Sequence, residues 1–172
     1  KYTSKPTALF SNTQIENPNL MLEGMPNYRS GVDGLRVSNS TKGGITFAAS
    51  TTQNGIHMIT VVLGVEAVDG DPYARFVATS SLMNYVVRTF VSSIVVKEGD
   101  PYGKSKATIM DGKSETVLAV AKKDFYIVEK QGSQAEPKIQ FKSDQESFRA
   151  PVKSGTNLGK LHYTDPDKIG RG

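Results

Sequence analysis

The 172-residue chain lacks cysteine, has only two histidines and contains no apolar run long enough to span a bilayer. Without cysteine it has neither a disulfide nor a thiolate zinc site. His57 has no Asp, Glu or second His near it at ligand spacing, so neither a metal nor a cofactor is expected. The chain begins at Lys1 without an initiator methionine or a signal peptide, so we expect a processed chain or an excised piece of a longer one.

The net charge is +4, and the lysines and arginines are scattered along the chain apart from the pair Lys122–Lys123. No basic stripe or nucleic-acid-binding motif is present, so nucleic acid is excluded as a partner. A solvated, slightly basic surface explains this charge, and attraction to an anionic cell wall is the functional alternative.

Residues 31–63 predict three consecutive antiparallel strands. Apolar runs at 45–50 and 55–63 are joined through Asn54-Gly55, the strongest short hairpin signal, because both residues tolerate positive φ. A further strand precedes them. In the last strand, alternation places His57 with Ile59, Val61 and Leu63 on one face, and Ile56 with Met58 on the other.

Residues 64–70 are expected to form a loop, and a helix is expected to follow it. Asp71 before Pro72 predicts an N-cap with proline at the first helical position, and the helix should run to about residue 91. The residues at helical spacing form one core-facing stripe, from which Arg75 and Arg88 are expected to lie away. The stripe comprises Phe76, Met83, Val87 and Phe90, with Tyr73, Ser80 and Val91 alongside.

The two ends of the chain differ from this central part. Residues 1–27 predict mostly loop, with at most one short strand near 7–10 and a turn at 17–19. From residue 94, short β-rich runs separated by Gly, Asp and Lys turns predict a small all-β sandwich or barrel. The runs cover 94–96, 108–110, 116–120, 125–128, 139–141 and 158–163.

An ordered set of motifs resembles one enzyme family. Residues 31–35, Gly-Val-Asp-Gly-Leu before a basic residue, resemble the entry to the third catalytic box of serine D-alanyl-D-alanine carboxypeptidases, the low-molecular-mass penicillin-binding proteins. Residues 20–26, Leu-Met-Leu-Glu-Gly-Met-Pro, and residues 71–76, Asp-Pro-Tyr-Ala-Arg-Phe, resemble the streptococcal and enterococcal branch. The resemblance runs along nearly the whole chain, and the order and spacing of the motifs make it specific.

The third box is altered here, because Arg36-Val37-Ser38 stands where the family has Lys-Thr-Gly. Arg36 keeps the positive charge in a planar group, Val37 lacks the hydroxyl, and Ser38 adds a side chain where glycine gives access. The resemblance implies that these three residues bind substrate and that the backbone N–H of Asn39 is the oxyanion-hole candidate. It also requires a Ser-x-x-Lys pair and a Ser-x-Asn box, and this sequence contains neither.

The resemblance implies an α+β fold. Residues 1–92 would be the C-terminal piece of a catalytic domain, with antiparallel strands and one long helix, and residues 93–172 a small sandwich-like β domain. The implied function is that of the C-terminal half of a carboxypeptidase-like protein of peptidoglycan metabolism, whose intact parent forms an acyl-enzyme on the peptide stem. The alternative is a non-catalytic pseudoenzyme, or a scaffold module that binds the cell wall or other proteins.

The implied location is extracellular, on the cell-wall side of a Gram-positive-like membrane. Membrane contact would require a segment that this chain does not contain. The expected partners are the peptidoglycan stem in the intact parent, and either the upstream catalytic half or a second copy of the chain. A truncated sheet would expose an open edge and an apolar face, and both are adhesive.

Overall fold

The computed structural model describes residues 2–66, 71, 73–134 and 138–164. The chain divides into two compact units, Lys1–Val91 and Ser92–Gly172. Within the described residues the architecture is one helix with mostly antiparallel strands. The predicted α+β class is therefore confirmed.

The first unit is built on a three-stranded antiparallel sheet in the order β3–β4–β5. Its strands are β3 (Val32–Ser40), β4 (Gly44–Gln53) and β5 (Ile56–Val65). Asn54 and Gly55 have φ of 51° and 75°, the two positive values that a tight hairpin turn needs, so the predicted turn is confirmed. The loop predicted at 64–70 begins later than expected, since β5 includes residues 64 and 65, and residues 67–70 lie outside the described part.

Helix α1 (Ala74–Thr89) packs against β4 and β5. Phe76 and Met83 are buried as the predicted stripe requires, and the Phe76 ring meets Phe47 edge to face at 5.2 Å. The helix begins later than predicted, with Tyr73 at the N-cap position. Asp71 still accepts a hydrogen bond from the Tyr73 N–H at 2.8 Å, while Pro72 lies outside the described residues.

The core of the first unit receives two side chains from the segment before β3. Met21 and Leu22 are fully buried among residues of the sheet and helix. Asn19, also fully buried, accepts from the Met21 N–H at 3.0 Å and donates to the Gly34 carbonyl oxygen at 3.3 Å. This asparagine therefore joins the Leu-Met-Leu motif to the start of β3.

The N-terminal segment contains more strand than the sequence predicted. β1 (Thr7–Phe10) forms an antiparallel hairpin with β2 (Thr13–Glu16), and every residue of both strands is exposed. The strand near 7–10 is confirmed, but the expectation of at most one strand in this segment is wrong, because β2 was missed. Ser11 and Asn12 take positive φ at the turn, a geometry that a Ser-Asn pair signals less strongly than Asn-Gly.

The second unit consists of three small sheets formed by seven strands within its described residues. These are β6 (Phe90–Val96) with β9 (Phe125–Lys130), β10 (Lys138–Ser143) with β12 (Gly159–Thr164), and β11 (Phe148–Arg149) with β7 (Lys106–Met110) and β8 (Thr116–Leu118). Each of the six predicted β-rich runs overlaps a strand, although β8 ends at Leu118, two residues before the predicted end. The two-residue strand β11, which runs parallel to β7, had no recognisable sequence signal.

Candidate functional site

Strand β3 carries the altered box and lies at the edge of its sheet. Within the described residues β3 pairs with β4 alone, so its other side offers unpaired backbone groups. Arg36 pairs with Ala48, Val37 with Phe47 and Ser38 with Thr46. The arrangement provides an edge to which an extended peptide can add as a further strand.

The three box residues do not share one face of the sheet. Arg36 and Ser38 are exposed on the face away from the core, whereas Val37 is half-buried and packs against the core cluster. A threonine at position 37 would point its side chain the same way, because successive strand residues alternate between faces. The structure thus brings Arg36 and Ser38 together and separates Val37 from them.

A β-bulge immediately precedes the box. The register shifts between Val32 and Gly34, and Leu35 has a φ of 80°, which is uncommon for a bulky residue. Gly34 has a φ of 149°, and a Cβ there would lie 2.2 Å from Thr3 Oγ1. The positive φ and the close approach of Thr3 therefore favour glycine at position 34.

The residue that sequence reasoning missed is Arg75. It was expected to lie away from the helical stripe, and that prediction is wrong, because only 5% of it is exposed. Its Nη1 donates to the carbonyl oxygens of Ser38 and Thr46, each at 3.2 Å, and its Nη2 donates to Asn39 Oδ1. Arg75 therefore fixes the end of β3 at the oxyanion-hole candidate.

Arg75 occupies an electrostatically unfavourable position. It lies in the first turn of α1, where the helix dipole disfavours a cation, and no acidic residue occupies that turn. Burial lowers the pKa of its guanidinium below the usual value, since desolvation penalises the charged form. Among the described residues the one ion pair joins Arg149 to Asp111, so Arg75 has only neutral acceptors around it. Local rules are broken in this way at functional sites or at strained structural ones.

The outer face of the same sheet carries an apolar stripe next to the box. Ile59, Val61 and Leu63 of β5 are exposed, Leu63 to 75%, as the alternation predicted for the face of His57. Ala48 pairs with Arg36 on one side and with Val61 on the other, so the stripe and Arg36 share one face. Within the described residues β5 has no partner other than β4, which leaves its second edge open.

The remaining predictions for the site concern groups that the chain lacks. The sequence contains no Ser-x-x-Lys pair and no Ser-x-Asn, so no family nucleophile accompanies β3. In the described part of the chain, no group of His, Asp and Glu side chains is arranged to hold a metal ion. No helix there is long and apolar enough to cross a membrane. The roles of Arg36, Val37, Ser38 and Asn39 stay predictions.

Comparison with known proteins gives matches for both units. Residues 90–171 match the family model of the penicillin-binding protein 5 C-terminal domain. A crystal structure of a peptidoglycan synthesis regulatory factor (PBP3) from Streptococcus pneumoniae is 44% identical with a TM-score of 0.92, over 98% of this chain and 46% of that one. The resemblance drawn from the motifs is confirmed.

More distant relatives agree with this assignment. Structures of penicillin binding protein 5 from Haemophilus influenzae share the fold with a TM-score of 0.63 at 24% identity, over 98% of this chain and 46% of that one. The D-alanyl-D-alanine carboxypeptidase DacA of Haemophilus influenzae is 26% identical over 133 residues, which is 77% of this chain and 32% of that protein. The chain spans about a third of the curated relatives that it matches.

Proposed function

We propose that the chain is the C-terminal portion of a serine-type D-alanyl-D-alanine carboxypeptidase-like protein, in which residues 90–171, the part that matches the penicillin-binding protein 5 C-terminal domain model, are the second domain. Its first unit, by this proposal, supplies one wall of the substrate cleft. Strand β3 with its free edge is the observation that carries the proposal, because the motif resemblance implies that the family's substrate lies beside this strand. The assignment of residues 1–92 to a catalytic domain is part of the same proposal.

The substrate would be the peptide stem of peptidoglycan, lying extended along β3. Backbone groups of the free edge would pair with the stem, and Arg36 would face its carboxylate from the outer side of the sheet. Arg75 lacks a carboxylate partner among the described residues and holds Asn39, whose N–H is the oxyanion-hole candidate. Arg75 is only 5% exposed and donates to Ser38, Thr46 and Asn39, so its proposed role is to position Asn39 rather than to bind the substrate carboxylate.

The chain alone should not form an acyl-enzyme, because the nucleophile is absent from its sequence. We expect no covalent labelling of the isolated polypeptide by a fluorescent penicillin. A labelled band from this chain by itself, lost on competition with unlabelled penicillin, would refute that expectation.

A chimera tests the role of β3 directly. The part of the Streptococcus pneumoniae protein that this chain does not cover can be joined to this chain, since the matched parts superpose with a TM-score of 0.92. We expect the chimera to be labelled slowly. The triple change Arg36→Lys, Val37→Thr and Ser38→Gly should accelerate acylation at least roughly tenfold, because loss of a single active-site donor costs about 10²–10³ in rate.

The control is the same triple change combined with Arg75→Lys, which keeps the charge but removes the planar fork. We expect this quadruple variant to show only part of the acceleration of acylation that the triple change gives. An unchanged acylation rate in a folded triple variant would show that the box is misaligned or that the carboxylate is held elsewhere.

The second candidate function is a non-catalytic pseudoenzyme or a scaffold that binds the cell wall or other proteins. The altered Arg-Val-Ser box favours it, because all three positions differ from Lys-Thr-Gly. A chimera that stays unlabelled with the native box, yet is labelled with the restored box, would support this candidate.

The proposed location is the outer, cell-wall side of a Gram-positive-like membrane. The proposed partner of the first unit is the upstream catalytic half of such a protein. The open edge of β5 and the apolar stripe of Ile59, Val61 and Leu63 offer a strand and a face for it to cover.

A further inference from the structure

The second unit contains an apolar cleft that plays no part in the proposed chemistry. Its volume is about 700 Å³, within the range of sites that hold one small organic molecule. Its walls come from β8, the segment that follows it, β10 and the loop before β12. The apolar lining includes Val117, Leu118, Val120, Phe125, Phe141 and Leu161.

The apolar lining is not closed over by the unit's own side chains. Leu118 and Val120 are 48% and 55% exposed although they line the cleft. Phe125 and Phe141 are half-buried, so each ring presents part of its surface to the cleft. Apolar surface gathered in a concavity is the usual composition of a ligand site, whereas singly exposed apolar residues are ordinary.

The rim of the cleft is cationic. Lys122, Lys123, Lys153 and Lys160 line it, and the one ion pair found among the described residues involves none of them. A shallower depression shares Tyr102, Ser105 and Phe141 with the cleft and adds Lys104 and Lys106. The sequence had signalled only the Lys122–Lys123 pair, because the other lysines are distant along the chain.

The single acidic residue on the lining is already occupied. Asp124 Oδ1 accepts from the Glu98 N–H at 2.8 Å, and Oδ2 accepts from the Tyr126 hydroxyl at 3.1 Å. One oxygen therefore accepts from Glu98 on another segment and the other from Tyr126, two residues along the chain. Asp124 keeps its negative charge, but the four lysines outnumber it, so the lining is net cationic.

We propose that this cleft binds a single-chain anionic amphiphile, with its hydrocarbon chain against the apolar lining and its phosphate or carboxylate head at the lysine rim. The apolar lining can bury a hydrocarbon chain, and the lysines can pair with an anionic head group. The volume of the cleft fits one small molecule rather than a macromolecular surface. The site lies wholly within the second unit, so it does not depend on the catalytic assignment of the first.

Alkyl phosphates at concentrations where they are monomeric are the probes, measured by calorimetric titration into the full chain. We expect dodecyl phosphate to bind, with affinity rising roughly tenfold for each two-carbon extension from octyl to dodecyl, since each buried methylene adds a nearly constant increment. Inorganic phosphate alone and the uncharged dodecyl maltoside should bind at least about tenfold more weakly than dodecyl phosphate.

Two matched pairs of variants localise the site. Leu118→Asp places a carboxylate in the apolar lining and should weaken dodecyl phosphate binding at least about tenfold. Met110→Asp is the control, because Met110 is equally exposed, at 50% against 48%, and does not line the cleft. Lys122→Gln with Lys123→Gln should weaken binding about fivefold at low salt, and Lys113→Gln with Lys130→Gln should leave it unchanged.

Four results would overturn the proposal. The first is no binding of dodecyl phosphate to a folded chain, and the second is equal affinity for charged and uncharged probes. The third is binding to vesicles of anionic phospholipid without binding of the monomeric alkyl phosphate, which would assign the lysines to a membrane surface instead. Equal effects of Leu118→Asp and Met110→Asp would place any observed binding outside the cleft.

Discussion

Replacement of Arg75 by methionine tests the main structural link between α1 and the box strand. Methionine retains an apolar stem of similar length, so the packing of the side chain is largely kept. What is lost is the guanidinium, with its bonds to the carbonyl oxygens of Ser38 and Thr46 and to Asn39 Oδ1. The change therefore removes hydrogen bonds rather than volume.

The expected loss follows from opposing contributions. A hydrogen bond to a charged group contributes about 1.5–3 kcal/mol net, and three such bonds are lost, although the Ser38 carbonyl oxygen still accepts from the Thr46 hydroxyl at 3.1 Å. Removing the cation also removes its desolvation cost and its unfavourable position at the helix N-terminus, the latter about 0.3–1 kcal/mol. Because the bonds form one cluster, their contributions are not additive, and we expect a net loss of about 2–4 kcal/mol in the free energy of unfolding.

Urea unfolding followed by the helical signal in far-ultraviolet circular dichroism measures this loss, because α1 is the one helix in the described part of the chain. Separate transitions for the two compact units are to be fitted separately. Arg88→Met is the control, since Arg88 lies exposed in the last turn of the same helix and should lose less than about 1 kcal/mol. Equal losses for the two variants would refute the assigned role of Arg75.

Two further predictions concern the exposed sheet face and a tyrosine of the second unit. The isolated chain should self-associate in sedimentation velocity, and Val61→Lys should reduce this more than Val77→Lys, a matched change at similar exposure (55% and 58%) on the helix; monomers at all concentrations would contradict it. The hydrogen bond and the charge of Asp124 raise the pKa of Tyr126, so ultraviolet absorbance should show this tyrosine titrating above the ordinary value for a tyrosine. Its contribution to stability is present below the unfolded pKa and lost as pH rises through the folded one, and Asp124→Asn should lower the pKa toward the ordinary value; an unchanged titration would show that Asp124 is not its cause.

The sequence predicted the sheet of the first unit well because its signals are local. The Asn54-Gly55 turn sets the register of β4 and β5 next to the turn, and alternation along β5 then assigns each of its side chains to a face. The prediction that Phe76 and Met83 are buried was correct for the same reason, because helical periodicity depends only on local sequence.

The burial of Arg75 could not be predicted from local sequence signals. A charged residue in an amphipathic pattern is assigned to solvent, and its acceptors at Ser38 and Thr46 are 37 and 29 residues away along the chain. Likewise, the cationic rim joins Lys122 to Lys153 and Lys160 only after the strands assemble. A site built from distant segments has no characteristic residue spacing along the sequence, so sequence analysis cannot detect it. The altered box could be located because its motif resembles that of a known family.

The hydrogen bonds of Arg75 to both strands have a kinetic consequence for the tip of the β3–β4 hairpin. Ser38 and Thr46 are cross-strand partners, and one nitrogen of Arg75 donates to both of their carbonyl oxygens. Hairpin ends normally fray, opening and closing far more often than the whole molecule unfolds. Here the strands cannot separate at this end until the first turn of α1 releases them, so amide hydrogen exchange at the tip should proceed in step with that turn.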